Sequence, residues 1–405
     1  MSAIITFARN RIAYTLAKSL AKHHITVTAS DSVYPAMTFF SKYAHSFFLY
    51  PSYTRDPPGF IRCLYDHVKA FKPDVLMPAH EETILLSYFK DRFAKHTQLP
   101  IASYEQMNVA RDKTAMTALA QSLDVPTPQT YHVHGAQDLP RLSDAIAYPA
   151  VIKIPRGRGA WGLTYVHTKQ ELLAAYAATL HRFGTGSGVP FLQEYIPGTG
   201  YGVSALFNQG EVRALFVHKR LMEYPITGGA SVERVSTRHT RMEAYACRLL
   251  AHLKWHGVAM VEFKLDRRTG TPVFLEVNPR FWGSLNQAVC AGVDFPRLLY
   301  EMAVTGDVSP VFHYRVGVRT RWFFGQLQAL MDAVKQGRGV QALKRFRPYA
   351  RNTSYDDLAL TDLLPFLVAP LPYLRHYLQA GALDIYESLD DAMASLTKGE
   401  PHELL

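Results

Sequence analysis

The stretch "FLEVNPRFWGSL", residues 274–285, sets Glu276, Asn278 and Arg280 at alternate positions in an otherwise apolar run. Alternation puts side chains on one face of a strand, so an acid, an amide and a fixed cation are expected to point the same way. An acid and an amide oxygen two residues apart suit a divalent cation, and Mg²⁺ asks for a further carboxylate. "MVEFKLD" supplies Glu262 on the preceding predicted strand, and the turn "DRRTGTP" joins the two as a hairpin with Glu262 beside Glu276. Glu262, Glu276 and Asn278 are therefore the candidate ligands of Mg²⁺, or of Mn²⁺ in its place, set against nucleotide phosphates. Arg280 is the candidate for stabilising charge that develops during transfer. Singly, each has a plainer explanation as a cross-strand polar pair or a capping amide; the set of four is what points to chemistry.

The elements that must hold these residues can be read along the chain. "AIITFA", "ITVTAS" and "DVLMPA" are short strand runs, separated by the helical patterns "RIAYTLAKSLAKHH" and "DPPGFIRCLYDHVKAFKP". Strands alternating with helices predict a parallel sheet with crossover helices, ending near residue 105. Its first turn, "FARNRIA", lacks a glycine fingerprint, which argues against a dinucleotide site there. "RDKTAMTALAQSLDVPTP" predicts a helix stopped by two prolines. "YPAVIKIPRGRGAWGLTYV" then reads as strand, glycine-rich loop, strand, with a helix to follow through "KQELLAAYAATLHRF". From 190 to 278 mostly strands are expected around one helix near 240–255, giving an antiparallel sheet with helices on one face.

Composition bounds the rest. A chain of 405 residues, 48% hydrophobic and 19% charged, is globular and too long for one ordinary core. Its net charge of +10 favours anionic partners. Cys63, Cys247 and Cys290 lie far apart with no CxxC, so they are expected to be buried small hydrophobes in a reducing compartment. No secretory leader pattern and no 18-residue apolar run occurs, so a cytoplasmic protein is expected. Between Arg315 and Arg351 there are nine Lys/Arg and one acid, Asp332, so this segment holds most of the net charge. Leu327, Leu330, Met331 and Val334 predict an amphipathic helix in "RWFFGQLQALMDAVKQ", and the apolar "LLPFLVAPLPYL" comes later. Residues 315–378 either pack on the body or make a peripheral contact at the inner face of an anionic membrane. Trp322, Phe323 and Phe324 lie among these basic residues, but no nucleic-acid module is recognisable and no nucleic-acid partner is expected.

The "VEF…LEVNPR" pair resembles the ATP-grasp ligases, and the similarity runs over roughly residues 1–305. The nearest branch is the carbamoyl-phosphate-synthase-like predicted carboligases, without the synthase's duplication or a glutaminase. The resemblance implies an α/β parallel-sheet domain (1–105) before a two-lobed α+β grasp. Its small lobe would be 106–189 and its large lobe, with the metal, 190–310. A basic, mainly helical extension over 311–405 completes the division. It implies Mg-ATP as cofactor and small-molecule carboxylate and amine (or thiol) substrates, joined through an acyl phosphate with release of ADP; a dimer is compatible. The alternative is a non-catalytic nucleotide-binding module at a membrane or polymer surface.

By the same resemblance, Lys113 in "RDK" and Lys153 in "VIKI" match the two nucleotide lysines. Gly157 and Gly159 lie in the phosphate loop, while Glu194 and the backbone of Tyr195 and Ile196 in "QEYIPG" meet adenine. Taken by itself, a lysine on a buried strand needs an anion, either a phosphate or a structural carboxylate. The ribose-binding acid often found after the hinge is missing here, where Thr199 and Gly200 stand. "TGGASVERVST" resembles the variable acceptor loop, where Arg234 would grip a carboxylate or acyl phosphate or else be a solvated loop residue. In "HEE", Glu81 or Glu82 would hold an amino group or serve only as a helix N-terminal acid. "HVH" at 132–134 offers two imidazoles but no third ligand, so no metal is expected there.

Overall fold

The computed structural model describes residues 1–135, 137–157, 161–184, 188–225, 228–337, 353–380 and 389–397. Near the N-terminus, β1 (Ser2–Ile5), β2 (Thr26–Asp31), β3 (Ser46–Leu49) and β4 (Val75–Met77) form a parallel sheet in the order β3-β2-β1-β4. The helix Arg11–Lys22 starts where the Asn10 side chain accepts from Ile12 N, and it buries Ile12, Leu16 and Leu20. The helix Pro57–Phe71 starts on Asp56, with proline in its first turn. The helix expected in "RDKTAMTALAQSLDVPTP" is present as Lys113–Ser122, and another helix precedes it. Tyr104–Arg111 carries a capping box from Ser103 and Gln106, and Asp112 breaks the run by capping Lys113–Ser122. Lys113 is thereby fixed as the first residue of a helix.

A second sheet, β5 (Thr130–Tyr131), β6 (Ala150–Lys153), β7 (Leu163–Val166) and β8 (Phe191–Glu194), is antiparallel in the order β5-β8-β6-β7. The helix Lys169–Phe183 packs on β6 and β7, starting on the Thr168 hydroxyl and stopping at Gly184. This lobe has its own core, centred on Val133, Ile152, Leu172 and Leu192.

The third sheet is the largest. It comprises β9 (Gly198–Asn208), β10 (Glu211–Tyr224), β11 (Ala230–Thr237), β12 (Gly257–Asp266), β13 (Pro272–Asn278), β14 (Arg319–Arg321) and β15 (Thr353–Tyr355). Their order is β13-β12-β9-β10-β11-β14-β15, antiparallel except for the last pair. Residues 230–237, expected in a loop, are strand β11. β14 and β15, both past residue 311, continue the sheet rather than standing apart from it. Three aspartates just past β15 fasten this part of the chain to the body. Asp356 takes Arg234, Asp357 accepts the Phe323 and Phe324 amides of helix Phe323–Lys335 at 3.0 and 3.1 Å, and Asp362 accepts the Ser41 hydroxyl at 2.6 Å. Leu389, Met393 and Leu396 enter the core that the first domain shares with the large sheet.

The predicted amphipathic helix exists as Phe323–Lys335, but Leu327, Met331 and Val334 on its apolar stripe are exposed. The three cysteines carry free thiols and are half-buried rather than buried. No described helix is long and apolar enough to cross a membrane.

Candidate active site

The β12–β13 hairpin pairs Glu262 directly with Glu276. A bulge follows at once, since the next pair is Phe263 with Phe274 and Leu275 is left over. Behind the acids Val261, Phe263, Phe274 and Val277 are buried, so the hairpin is anchored from below while its carboxylates face a cleft. Asn278 Nδ2 donates to Glu262 Oε1 at 3.1 Å and reaches Glu276 Oε1 at 3.5 Å. Two carboxylates and an amide are hard oxygen donors, the set Mg²⁺ uses when phosphate oxygens and water complete its shell. Among the described residues no group of three or more His, Cys, Asp or Glu gathers as a metal site. The pair thus needs the Asn278 oxygen and donors from a bound molecule to complete a site.

Cations surround these acids. Lys113 Nζ lies 3.1 Å from Glu276 Oε2 and donates to the Gly157 carbonyl at 2.7 Å. Arg220, on β10, reaches Glu262 at 2.6 Å and Glu223 at 3.3 Å. Burial pushes the Glu276 carboxyl up, but Lys113, Lys153 and Arg220 outweigh it and hold the group below its usual value. For Glu262 burial wins over Arg220, and the carboxyl is raised, with the Glu276 charge adding to the rise. The two acids are thus split by their surroundings, and a divalent cation would favour the ionised form of both. Lys153 is buried on β6, which lowers its ammonium to about 8 despite the opposing pull of Glu276. An anion arriving in the cleft would restore it.

The cleft encloses about 710 Å³ open to solvent, between the small lobe and the large sheet. Glu276, Glu262 and Lys153 line it, together with Glu194 at the end of β8 and Tyr195 and Ile196 in the link to β9. There the Ile196 carbonyl accepts from Lys264 Nζ at 3.0 Å, Lys264 lies over the Tyr195 ring, and Arg268 pairs with Glu194 at 2.6 Å. Gly157 lies in the glycine-rich segment after β6, and a Cβ there would come within 2.8 Å of the Trp161 carbonyl oxygen. Gly159 lies outside the described residues.

A second pocket adjoins the first beyond Asn278. Arg280 stands past the end of β13, and its Nε donates to Glu81 Oε1 at 2.8 Å across to the first domain. Burial opposes the charge of Arg280, yet Glu81 keeps its pKa raised. Glu81 therefore faces the site. Glu82 does not: it is fully buried, accepts from the Ala79 and His80 amides at 3.0 and 3.1 Å, and burial raises its carboxyl.

Arg234 is a correction. The glycine-rich "TGGAS" suggested a loop, but Arg234 lies inside β11, fully buried, with its guanidinium on Asp356 and on the Ser231 carbonyl at 2.9 Å. It braces the body and does not reach the cleft acids. Arg220, Glu223 and Lys264 were not singled out from the sequence, although they line the cleft. The available signal was their alternation with apolar residues on strands long enough to be central.

The fold is shared with solved enzymes. A biotin carboxylase from Campylobacter jejuni, solved as a βγ-ATP complex, superposes with a TM-score of 0.66 at 18% identity, over 78% of this chain and 74% of that one. A family model described as "ATP-grasp in the biosynthetic pathway with Ter operon" matches residues 188–325, which span the hinge, both acids and Arg280. The chain has the ATP-grasp fold. The matched ATP-grasp family is described by a Ter-operon pathway, not by the carbamoyl-phosphate-synthase-like branch that the sequence resembles. A D-alanine–D-alanine ligase from Pelotomaculum thermopropionicum is 26% identical over 220 residues, 48% of this chain and 67% of that protein. A urea amidolyase from Lachancea kluyveri is 26% identical over 179 residues, 42% of this chain, and the match spans only 10% of the amidolyase.

Proposed function

We propose that this chain is an ATP-dependent ligase that joins a carboxylate to an amine, or to a thiol, and releases ADP through an acyl phosphate. The observation that carries this reading is the paired Glu262 and Glu276 with Asn278, facing a cleft walled by Lys113, Lys153 and Arg220. The ATP complex of the superposable carboxylase and the named activity of the ligase relative support it.

In this reading Lys153 and Lys113 hold the phosphates, and Arg280 holds the acid. A carboxylate oxygen attacks the γ-phosphorus while the bond from that phosphorus to the β–γ bridging oxygen breaks, its electron pair leaving with ADP. The amine then attacks the acyl carbon, inorganic phosphate departs with the C–O electron pair, and the amine's proton passes to solvent or phosphate. Glu262, Glu276 and the Asn278 oxygen would hold Mg²⁺ (Mn²⁺ in its place), which when bound neutralises phosphate charge. Arg220, already on Glu262, adds a second fixed positive charge beside the transferring group.

The test is a screen of Mg-ATP with candidate acids and amines for ADP and phosphate release in step with a conjugate. ATP that raises the melting temperature while no pair releases ADP would make the chain a nucleotide-binding module instead.

A peripheral membrane contact through 315–378 is a second reading, favoured by exposed Leu363, Leu364, Leu367, Leu371, Leu374 and Leu378 on and beside the helices Leu364–Val368 and Leu371–Ala380. Co-sedimentation with phosphatidylserine vesicles that weakens with salt is the expected result. Full recovery in the supernatant at low salt would remove it.

A further inference from the structure

The two candidate metal acids do not stand free. Lys113 reaches Glu276 at 3.1 Å, and Arg220 reaches Glu262 at 2.6 Å through Nη2. Lys153 and Lys264 line the same cleft. Protein cations thus already neutralise the place where a divalent ion would sit, and a bare ion would have to displace them. Arg220 comes to Glu262 from β10, across β9. Gly200 of β9 gives it passage, since a Cβ there would lie 3.0 Å from Arg220 Cδ and 2.7 Å from Glu223 Oε1.

Glu223 has no place in the metal set, yet it holds the other arm of the same guanidinium. Arg220 Nη1 lies 3.3 Å from Glu223 Oε1. The side chains of Arg220, Glu262 and Glu223 are 11%, 14% and 20% exposed. A guanidinium keeps its proton, so Arg220 cannot become neutral when a metal ion approaches Glu262. Left without an acceptor it would be a nearly buried charge facing a second cation, a costly arrangement. Glu223 supplies the acceptor that the metal does not claim. Arg220 Nε, buried and with no acceptor among the described residues, is a further donor for an oxygen that arrives with the nucleotide. We infer that Arg220 is a built-in stand-in for the metal ion on Glu262, and that Glu223 is the positioning residue that retains Arg220 when the ion takes its place. The consequence is an order of loading. Free divalent ion binds the empty cleft weakly and enters with the phosphates, whose negative charge offsets the cations it displaces. This rests on the reading in which Glu262 and Glu276 hold the metal.

The experiment titrates the full chain with Mn²⁺ in the absence of nucleotide, reading bound Mn²⁺ by electron paramagnetic resonance. Arg220→Met frees Glu262 and is expected to tighten Mn²⁺ binding at least about tenfold. Glu223→Gln leaves Arg220 with Glu262 alone and is expected to weaken Mn²⁺ binding about three- to tenfold. In the double variant the effect of Glu223→Gln should shrink to about twofold or less, because it acts through Arg220. A merely structural role would weaken binding in both single variants, and that result would overturn the inference. So would Mn²⁺ binding unchanged by Arg220→Met. Should Arg220→Met fail to fold, Glu223→Gln decides alone, and unchanged or tighter binding would overturn the inference. None of these outcomes touches the metal assignment, which has its own control. Mn²⁺ held equally by the unaltered chain and by Glu276→Gln, with ADP present, would remove that assignment and this inference with it.

Discussion

The small lobe and the body of the molecule hold their chemistry in different ways. The small lobe packs Val133, Ile152, Leu172 and Leu192 around a core of its own, and it carries Lys153 and the start of the glycine-rich loop. The first domain, the large sheet and Leu389–Leu396 share one continuous core, and over it stand Glu262, Glu276, Asn278 and the Arg280–Glu81 pair. Among the described residues the bonds that cross include Lys113 N to the Pro155 carbonyl at 3.0 Å, Lys113 Nζ to the Gly157 carbonyl, Arg268 to Glu194, and Arg156 to Asp112 at 3.7 Å and Asp390 at 4.0 Å. A lobe with a separate core can tilt as a unit, whereas a hairpin embedded in a shared core cannot. In the proposed reading the acids and the Arg280–Glu81 pair are held by the shared core, and Lys153 belongs to the lobe that can tilt towards them. Lys113, at the start of its helix, touches both sides.

The largest effect that would break this division belongs to the body. Glu276→Gln is expected to lower ADP formation by about a thousandfold, with an unchanged circular-dichroism spectrum, because the change removes metal affinity rather than packing. Full ADP formation by this variant would contradict the metal assignment.

Next comes the brace of the body. Arg234→Met leaves Asp356 with a weaker claim on charge, since Arg11 lies 3.6 Å away, and is expected to destabilise by about 3–5 kcal/mol in denaturant unfolding. Turnover per folded molecule should be kept. A stable variant without turnover would return Arg234 to the site.

The smaller effect sharpens the small lobe. Lys153→Met is expected to weaken ATP binding by about ten- to a hundredfold, read by the ATP-induced rise in melting temperature. The unaltered protein adds a pH signature. Lys153 has its pKa lowered by burial from 10.5 to about 8, so above that pH binding of ATP must take up a proton and weakens by up to about tenfold per pH unit. For the free protein the sign is opposite. Its buried ammonium is a cost below pH 8 that is relieved as the group loses its proton, so this residue adds stability as pH rises from about 8 towards 10.5. Lys153→Met should lack both trends. An unchanged ATP shift would make Lys153 structural.

The parts legible in the sequence are those where a short-range pattern decides the structure. The Glu262–Glu276 register was readable because polar residues alternate in two apolar strands joined by a turn. The helix Lys169–Phe183 was readable end to end, from the Thr168 cap to Gly184. What was hidden depends on distant partners. Arg234 reads as a loop cation until Asp356 arrives from more than a hundred residues away. β14 and β15, three residues each, are too short for any periodicity and exist only as additions to a sheet already formed. Arg220 gave the same difficulty in the site: its role appears once β10 lies two strands from β12, with Gly200 of β9 leaving room for its side chain.

The central claim is that the cleft transfers a phosphoryl group to a carboxylate. The most direct measurement supplies the full chain with Mg-ATP, an acid that supports turnover and hydroxylamine in place of the amine, then separates the nucleotide products. The account predicts a hydroxamate formed together with ADP and inorganic phosphate, the signature of an acyl phosphate intercepted by the added nucleophile. Hydroxamate formed together with AMP and pyrophosphate would show adenylation of the acid and contradict it.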